Sequence, residues 1–329
     1  MTVAFINKTL QLLAAALIGL AFVGSSITAQ AASFPDKTVR IIVGFPPGGG
    51  IDTLARTIAP LLSTDLGQPV IVENKPGASG VIGMNAAAKS SPDGHTIFLG
   101  TTGNISINPI FIPNLPFSVT TDFKPLMQVA SVPFLIYAHP SFPPNNLREL
   151  VDYAKANPGK FNFYSSGKGG LPHLTGELLN SLAHINTVHV PYKGSAPGMN
   201  DLLGGHVQLG YDAVSIGLPH VKTGRLKALA VTGTEALSFL PDVAPANKTV
   251  PGLVAVNWYG MLVPAQTPDS AIAILNKAIT KALNTPEVKS VLSRQGIYSN
   301  PTDPKSFGAF IDSEALKWGN VVKSAKIKK

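Results

Sequence analysis

Five short segments of the chain concentrate glycine, serine and threonine and hold few charged side chains. They are Phe45–Asp52, Thr101–Asn104, Ser165–Gly170, Tyr192–Ser195 and Asp212–Ser215. Glycine lets backbone N–H groups approach a ligand without a Cβ in the way, and a hydroxyl can donate or accept a hydrogen bond. Where such a segment opens a helix, the free N–H groups and the helix dipole favour a carboxylate or a phosphate. The segments therefore predict a binding site for a small anion.

Five ionisable residues lie in or just after these segments. Lys168 and Lys193 can attract an anion, and a solvated surface lysine is the alternative for each. Asp52 stands at the start of a predicted helix, where an acidic side chain usually caps the helix or complements its dipole. Asp212 follows a strand and can accept a hydrogen bond from a ligand amine or from a neighbouring loop N–H. His173 falls in the first turn of a helix, where ligand contact and a capping role both remain open.

The sequence contains no pattern that is typical of catalysis or of metal binding. Gly48–Gly50 lacks the following Lys-Ser/Thr pair of a phosphate-binding P-loop, and no G-x-G-x-x-G opens a helix. Gly77–Gly80 resembles a nucleophile elbow only loosely, because its second glycine follows the serine directly. The seven histidines are scattered and no H-E-x-x-H occurs. We therefore predict no catalytic residue, no metal site and no cofactor.

The elements that must position these segments alternate between strand and helix in two series. The first series is a strand at Thr38–Phe45, a helix that ends at Leu66 before Gly67, a strand at Val70–Glu73, a helix at Val81–Lys89 and a strand at Thr96–Gly100. The second series, after Pro133, is Phe134–Ala138, Leu147–Asn157, Phe161–Tyr164, Leu174–Leu182, Thr187–Val190, a helix containing Met199–Leu203, and Val207–Tyr211. Each is a βαβαβ pattern, which predicts α/β architecture with a parallel sheet covered by helices on both faces.

Two similar apolar strands, Phe134–Ala138 and Tyr259–Val263, each end near a proline that precedes a helix. We interpret them as paired crossings between two lobes. Lobe 1 is then 32–132 plus 256–329, with a terminal helix near Pro304–Ser324, and lobe 2 is 133–255. Ligands of open parallel sheets bind outside the carboxyl ends of the strands, where the five segments fall. A cleft between the lobes is therefore expected.

Composition excludes several classes of protein. The chain has 329 residues, of which 45% are apolar and 13% are charged, against about 25% charged in an average globular protein. This apolar share excludes a disordered chain. The formal net charge is +8, but the basic residues form no long run and no aromatic residues lie between them, so no nucleic-acid partner is predicted.

The N-terminal residues predict export. Lys8 precedes an apolar run from Leu12 to Val23, and Ala29 and Ala31 fit a small-x-small cleavage site, so residues 1–31 are predicted to be a cleavable signal peptide. The run is too short to span a membrane comfortably. The sequence contains no cysteine, which excludes a lipid-modified N-terminal cysteine and any disulfide. The predicted mature protein is periplasmic and is not a lipoprotein.

The order of several motifs matches a known family. The motifs are Phe45–Asp52, Asn74–Gly80, Pro92–Gly94, Thr101–Gly103, Val190–Gly194, Asp201–Gly205 and Leu229–Thr232. Together they resemble the Bug (TctC-like) solute receptors of tripartite tricarboxylate transport systems. The resemblance implies a type II periplasmic binding-protein fold, with two α/β lobes joined by a two-strand hinge and a cleft between them. It implies a binding protein without catalysis, which passes a small carboxylate to membrane subunits of the transporter.

The resemblance also implies where ligand binds. One carboxylate is expected at the Phe45–Asp52 loop. Matching positions elsewhere are Thr101, Thr102, Ser165, Ser166, Tyr192, Lys193 and Asp212. With the loop residues weighed above, the candidate ligand-binding set is Phe45, Gly48, Gly49, Gly50, Asp52, Thr101, Thr102, Gly103, Ser165, Ser166, Lys168, Gly169, His173, Tyr192, Lys193 and Asp212. The chain departs from the family pattern at Lys168, where relatives usually carry a small polar residue, and at Ala213, where they usually carry Asn.

The leading hypothesis is a monomeric extracytoplasmic receptor that closes on a carboxylated organic anion. A ligand-sensing periplasmic partner of a signalling protein would have the same cleft. A secreted hydrolase or transferase is the alternative from a different class. It would need an activated nucleophile with a base in reach, and the sequence offers no convincing pair.

Overall fold

The computed structural model describes residues 34–327, and the predicted signal peptide lies outside the described residues. The strands are β1 (Val39–Val43), β2 (Val70–Asn74), β3 (Thr96–Thr101), β4 (Phe123–Ala138), β5 (Asn162–Ser165), β6 (Val188–Pro191), β7 (Leu209–Ala213), β8 (Lys227–Val231), β9 (Val256–Pro264) and β10 (Tyr298–Ser299). The helices are α1 (Gly50–Leu66), α2 (Val81–Ala88), α3 (Asn108–Phe111), α4 (Val119–Asp122), α5 (Leu147–Ala156), α6 (Leu171–Ala183), α7 (Ser195–Leu203), α8 (Val214–Lys222), α9 (Asp269–Leu283), α10 (Pro286–Ser293) and α11 (Pro304–Ser324). Between residues 34 and 327 no helix has both the length and the apolar character needed to cross a membrane.

The first half of the sheet contains the predicted βαβαβ series. β1 lies between β2 and β3 and is parallel to both, with Ile41 aligned to Val72 on one side and to Ile97 on the other. Every residue of β3 is buried, as a strand covered on both faces should be. α1 ends where Gly67 adopts the left-handed conformation, with φ of 67°. The carboxyl ends of these parallel strands therefore share one edge.

Strand β4 belongs to both halves of the sheet. Up to Pro133 it pairs with β9, and from Phe134 onward it pairs with β7 on one side and with β8 on the other. Thr232, which follows β8, fixes this transition, because its hydroxyl donates to Ala255 O at 2.5 Å and accepts from Phe134 N at 2.9 Å. One strand and one buried threonine thus join the two halves.

Strands β4 and β9 differ in direction from the predicted parallel sheet. β5 is parallel to both β6 and β7, but β4 runs antiparallel to β7, β8 and β9, and β9 also runs antiparallel to β3. The reason is connectivity, because β4 enters from the first half as a continuous strand instead of following a helical crossover. Tyr259–Val263 is a strand, as predicted, and it lies in the first half beside β3 and β4.

Alternate residues of β4 pack on opposite faces of the second half. Ile136 contacts a core that includes α5 and α6, whereas Leu135 and Tyr137 contact a core that includes α7 and α8. In the first half, Phe98 packs in a core with residues of α2 and of the N-terminal part of α11. The helices therefore cover the sheet on both faces, which confirms the α/β architecture.

Helix α11 packs against both halves. Phe307, near its N-terminus, lies in a core of the first half, whereas Trp318 lies in a core of the second half. The carboxylate of buried Glu314 joins these regions, since one oxygen accepts from Trp258 Nε1 at 3.0 Å and from Trp318 Nε1 at 2.9 Å. Lys317 Nζ donates to the other oxygen. The residue boundaries of the two lobes stay a prediction, and α11 contributes side chains to both cores.

We expect Glu314→Gln to destabilise the protein by about 1–3 kcal/mol, the usual range for leaving buried donors poorly satisfied. A neutral amide oxygen accepts more weakly from the two indoles, and the new NH₂ group would face the Lys317 ammonium. Urea denaturation followed by circular dichroism measures the change. The control is Asp269→Asn, which removes an exposed ion pair with Lys124 and should cost less than about 1 kcal/mol. Equal stability of the Glu314→Gln and wild-type proteins would contradict the prediction.

Candidate functional site

A cleft of about 1070 Å³ lies at the carboxyl ends of the parallel strands, between the two halves of the sheet. The first wall comes from the β1–α1 loop and from the chain after β3, including Phe45, Gly49 and Thr101. The opposite wall comes from the β5–α6 loop and from the end of β7, including Ser166 and Asp212. Loops that are far apart in sequence therefore face a common crevice, as the rule for open α/β sheets predicts.

Three helices begin at this cleft without a side-chain cap. Their N-cap residues are Gly49 for α1, Gly170 for α6 and Ala213 for α8, and all three line the cleft. Among the other described helices, α5, α10 and α11 are capped by the side chains of Asn146, Thr285 and Asp303, and the rest also begin without a side-chain cap. What distinguishes α1, α6 and α8 is that they begin at the same cleft. Each uncapped first turn leaves backbone N–H groups and partial positive charge available to an anion. The cleft therefore presents donors from both walls.

Asp52 organises the first wall from behind. Its carboxylate accepts hydrogen bonds from Gly48 N at 2.9 Å, Arg56 Nε at 3.0 Å and Asn74 Nδ2 at 2.9 Å. The Asn74 amide also donates to Phe45 O at 3.0 Å. Burial disfavours the charged form, but these hydrogen bonds outweigh it and lower the pKa of Asp52. Both carboxylate oxygens are thus occupied in holding the Phe45–Gly50 loop.

The β5–α6 loop is braced in a similar way. Tyr192 N donates to Ser165 O at 3.0 Å, and the Tyr192 hydroxyl donates to Asp201 Oδ2 at 2.5 Å. Burial first, and then the Asp201 carboxylate, raise the pKa of Tyr192 to about 12. Gly169 N donates to His173 Nδ1 at 3.0 Å. These side chains support the second wall from outside the cleft.

Asp212 and Lys168 are the charged side chains that line the cleft within residues 34–327. Asp212 is buried and accepts from Ala213 N at 2.8 Å and from the Tyr164 hydroxyl at 3.3 Å. Burial raises the pKa of Asp212, although hydrogen bonds from Ser195, Ala213 and Tyr164 oppose the shift. Lys168 is exposed, so its ammonium can turn toward a ligand. The second wall therefore carries one acidic and one basic side chain.

The predicted site residues fall into two groups. Those that line the cleft are Phe45, Gly49, Gly50, Thr101, Gly103, Ser166, Lys168, Gly169 and Asp212. Those that lie outside its lining are Gly48, Asp52, Thr102, Ser165, His173, Tyr192 and Lys193. Thr102, for example, is fully buried, and its hydroxyl accepts from Trp258 N at 2.9 Å. Ligand contact stays a prediction for every member of the set. Within the second group, hydrogen bonds to the wall loops are made by Asp52, Ser165, His173 and Tyr192, whereas Lys193 is exposed.

Sequence reasoning missed part of the lining. The additional residues include Ser79, Asn104, Ile107, Asn108, Phe111, Phe134, Leu171, Asn257 and Tyr259. Asn104 lies in the predicted segment Thr101–Asn104 but is not in the candidate set, and its side-chain oxygen accepts from Thr101 N at 2.7 Å. Ile107 comes from the π-helical turn Gly103–Ile107 and Phe111 from α3, and no element was predicted for either segment. Their apolar side chains gave a signal for a core, not for a cleft.

Comparison with known proteins identifies the family. The family model described as "Tripartite tricarboxylate transporter family receptor", TctC, matches residues 54–327. The chain belongs to this family. Protein BugT of Bordetella pertussis is 35% identical over 324 residues, which are 97% of this chain and 99% of that protein. A protein of the tcbD-tcbE intergenic region of Pseudomonas sp. (strain P51) is 34% identical over 93% of this chain and 91% of its own length.

Solved structures agree with the assignment to the TctC family. The structure of the periplasmic binding protein BugD covers 90% of this chain and all of its own, at 34% identity and a TM-score of 0.71. R. palustris Rpa4515 with adipate covers 89% of this chain and 99% of its own, at 30% identity and a TM-score of 0.74. MatC from Rhodopseudomonas palustris with bound malate covers 88% and 100%, at 30% identity and a TM-score of 0.70. The protein is thus a periplasmic solute-binding receptor of the TctC family with a two-lobed α/β fold.

We expect Asp52→Asn to loosen the first wall and to destabilise the protein by about 1–3 kcal/mol at neutral pH. Because the folded pKa of Asp52 is lowered, its contribution is complete above about pH 4, the unfolded value for aspartate, and is lost as the pH falls through the folded value. The stability difference from wild type should therefore narrow in acid. Denaturant titrations at several pH values measure it, with Asp152→Asn on the exposed face of α5 as the control. A difference that stays constant down to low pH would contradict this.

Proposed function

We propose that this TctC-family receptor captures a small carboxylated organic anion in the interlobe cleft and delivers it to the membrane subunits of a tripartite tricarboxylate transporter. It acts without catalysis, as a monomer, after cleavage of residues 1–31. The observation that carries the proposal is the meeting of three uncapped helix N-termini, at Gly49, Gly170 and Ala213, around one cleft. Backbone donors at helix N-termini recognise carboxylates without any reacting side chain.

The relatives support the carboxylate class of ligand. Two similar receptors are described with adipate and with malate. In this chain the first wall, at Gly49 and Thr101, is the expected position of one ligand carboxylate, and Lys168 on the opposite wall can hold a second acidic group. Asp212 is suited to accept a hydrogen bond from a donor on the ligand. A cleft lined also by Ile107 and Phe111 favours a ligand with an apolar body between its polar ends.

The proposal is tested by isothermal calorimetry and thermal shift with mono-, di- and tricarboxylates. A ligand that binds only the folded state raises its stability by about 2.7 kcal/mol at a hundredfold excess over Kd, which gives a clear shift of Tm. Saturable, reversible binding of a carboxylate supports the receptor. Turnover of the bound acid would favour the hydrolase alternative, and no stabilisation by any member of a broad panel would overturn the proposal.

We expect Gly49→Val to abolish carboxylate binding while the protein stays folded. Gly49 has φ of −78°, and a Cβ added there meets no atom within 4 Å, so the fold accommodates the valine. The side chain would occupy the space in which a ligand must approach the first amides of α1. Calorimetry measures the loss. The matched control is Gly319→Val in α11, where an added Cβ also meets nothing within 4 Å, and binding by this variant should be unchanged. Undiminished binding by folded Gly49→Val would show that this loop is not used.

We expect Lys168→Ala to weaken carboxylate binding by about tenfold, equivalent to about 1.4 kcal/mol. The ammonium lies on an exposed side chain, so solvent and salt screen part of its attraction until the cleft closes. The Tm of the ligand-free protein should hardly change, because no acidic group described in the structure pairs with Lys168 within 4 Å. Lys160→Ala, at an exposed lysine that lies outside the cleft lining and outside the candidate set, is the matched control and should bind normally. Equal Kd values for the two variants would exclude this role of Lys168.

A further inference from the structure

Two histidine rings stack directly behind the second wall of the cleft. His173 lies on α6 and His189 on β6, and their ring centroids are 3.7 Å apart with an angle of 15° between the ring planes. His173 is buried and His189 is half-buried. Neither ring lines the cleft. The pair is therefore placed to act on the wall and not on a ligand directly.

Each ring holds one part of the β5–α6 loop. His173 Nδ1 accepts from Gly169 N at 3.0 Å, so that nitrogen carries no proton. His189 Nε2 lies 2.6 Å from Ser165 Oγ. The same hydroxyl accepts from Gly167 N at 3.2 Å and contacts Gly167 O at 3.0 Å. Gly167 and Gly169 are both wall residues, so the two rings determine the position of the wall.

The surroundings disfavour positive charge on His189. Burial first, then His173 and then Lys168, lower the pKa of His189 to about 3. Glu177 on α6 is the acidic group that faces the pair, with its Oε1 3.7 Å from His173 Nε2. On β7, Tyr211 is buried near Glu177, and burial raises the pKa of its hydroxyl, so it brings no charge. This single carboxylate lies at ion-pair distance from His173, so it cannot offset positive charge on both rings at once.

We propose that His173 and His189 are positioning residues that hold the Ser166–Gly170 wall in its binding geometry only while both rings are neutral. A protonated His173 would present an N–H to the Gly169 N–H, and two charged rings in van der Waals contact would repel each other. The inference rests on the proposed function, because it assigns this wall to ligand capture. It makes ligand affinity dependent on pH.

The sign of the effect follows from linkage. While the wall is in place, the neutral form of His189 is favoured, whereas a His189 ring that has moved away from the wall regains the ordinary histidine pKa of about 6.5. Below about pH 6.5, the conformation in which the Ser166–Gly170 wall has moved away from the rings therefore binds more protons than the conformation with the wall in place. For each proton taken up, the ratio of protein with the wall displaced to protein with the wall in place should rise by up to about tenfold for each pH unit of acidification. Affinity should be constant above neutral pH and should fall in acid.

The test combines a ligand-free and a ligand-bound measurement. Hydrogen exchange at peptides covering Ser165–Leu171, corrected for the intrinsic pH dependence of exchange, reports release of the wall without any ligand. The key variant carries His173→Asn and His189→Gln, which keep polar atoms near the positions of Nδ1 and Nε2 but do not titrate. His206→Gln, at an exposed histidine, is the matched control. Calorimetry with malate and adipate at about pH 8 and about pH 6 gives the affinities, within the range in which a histidine changes charge.

Wild type and His206→Gln should lose protection at Ser165–Leu171 as the pH falls, and the double variant should not. In wild type and His206→Gln, the affinity for the carboxylate should fall over the same pH range. In the double variant, the Kd should not depend on pH. Protection with the same pH dependence in all three proteins, or with none in wild type, would overturn the proposal. If neither acid binds at about pH 8, that result counts against the proposed function for these acids, and the exchange measurement still decides the role of the histidines.

Discussion

The shared strand β4 is the constraint on which the rest of the molecule depends. Because it pairs with β9 up to Pro133 and with β7 and β8 from Phe134, the two halves of the sheet cannot separate without breaking one continuous ladder. Two buried side chains add further links between the halves. The Thr232 hydroxyl bonds to backbone groups of Phe134 and Ala255, and the Glu314 carboxylate accepts from two indole N–H groups. A small number of buried polar contacts therefore fix the two halves of the sheet beside the cleft.

The chemistry of the cleft follows from what its walls leave free. Acidic and aromatic polar groups near the walls are engaged with their own loops, as Asp52 is with Gly48 and Asp201 is with Tyr192. The first turns of the helices at the cleft are not engaged in this way. Their backbone donors are fixed by the helix and need no side-chain ordering when a ligand arrives, which lowers the entropy cost of binding. Recognition can then tolerate variation in wall side chains as long as the backbone geometry is maintained.

The sequence predicted the repeated elements well because their signals are local. The helix ending at Gly67 and the terminal helix at Pro304–Ser324 are confirmed, since periodicity and terminal residues agree in both. The first part of β4 was missed because Pro125 and Pro133 stand within it, and proline argues against a central strand. The structure accommodates Pro125 at a register shift against β9. The antiparallel direction of β4 depends on long-range pairing, which no local pattern encodes.

For the candidate site, sequence reasoning located the loops but did not distinguish wall from support. Glycine-rich loops indicate exposed backbone donors in the sequence itself. Gly49 and Gly169, which were predicted in this way, line the cleft. A polar side chain in the same loop has two possible directions, and only the fold decides between them. Asp52, Thr102 and His173 turn away from the cleft and hold the backbone that lines it. A site that binds through backbone amides requires such supporting side chains, because a glycine-rich loop without them samples many conformations. In this protein the conspicuous polar residues therefore act one layer behind the surface that meets the ligand.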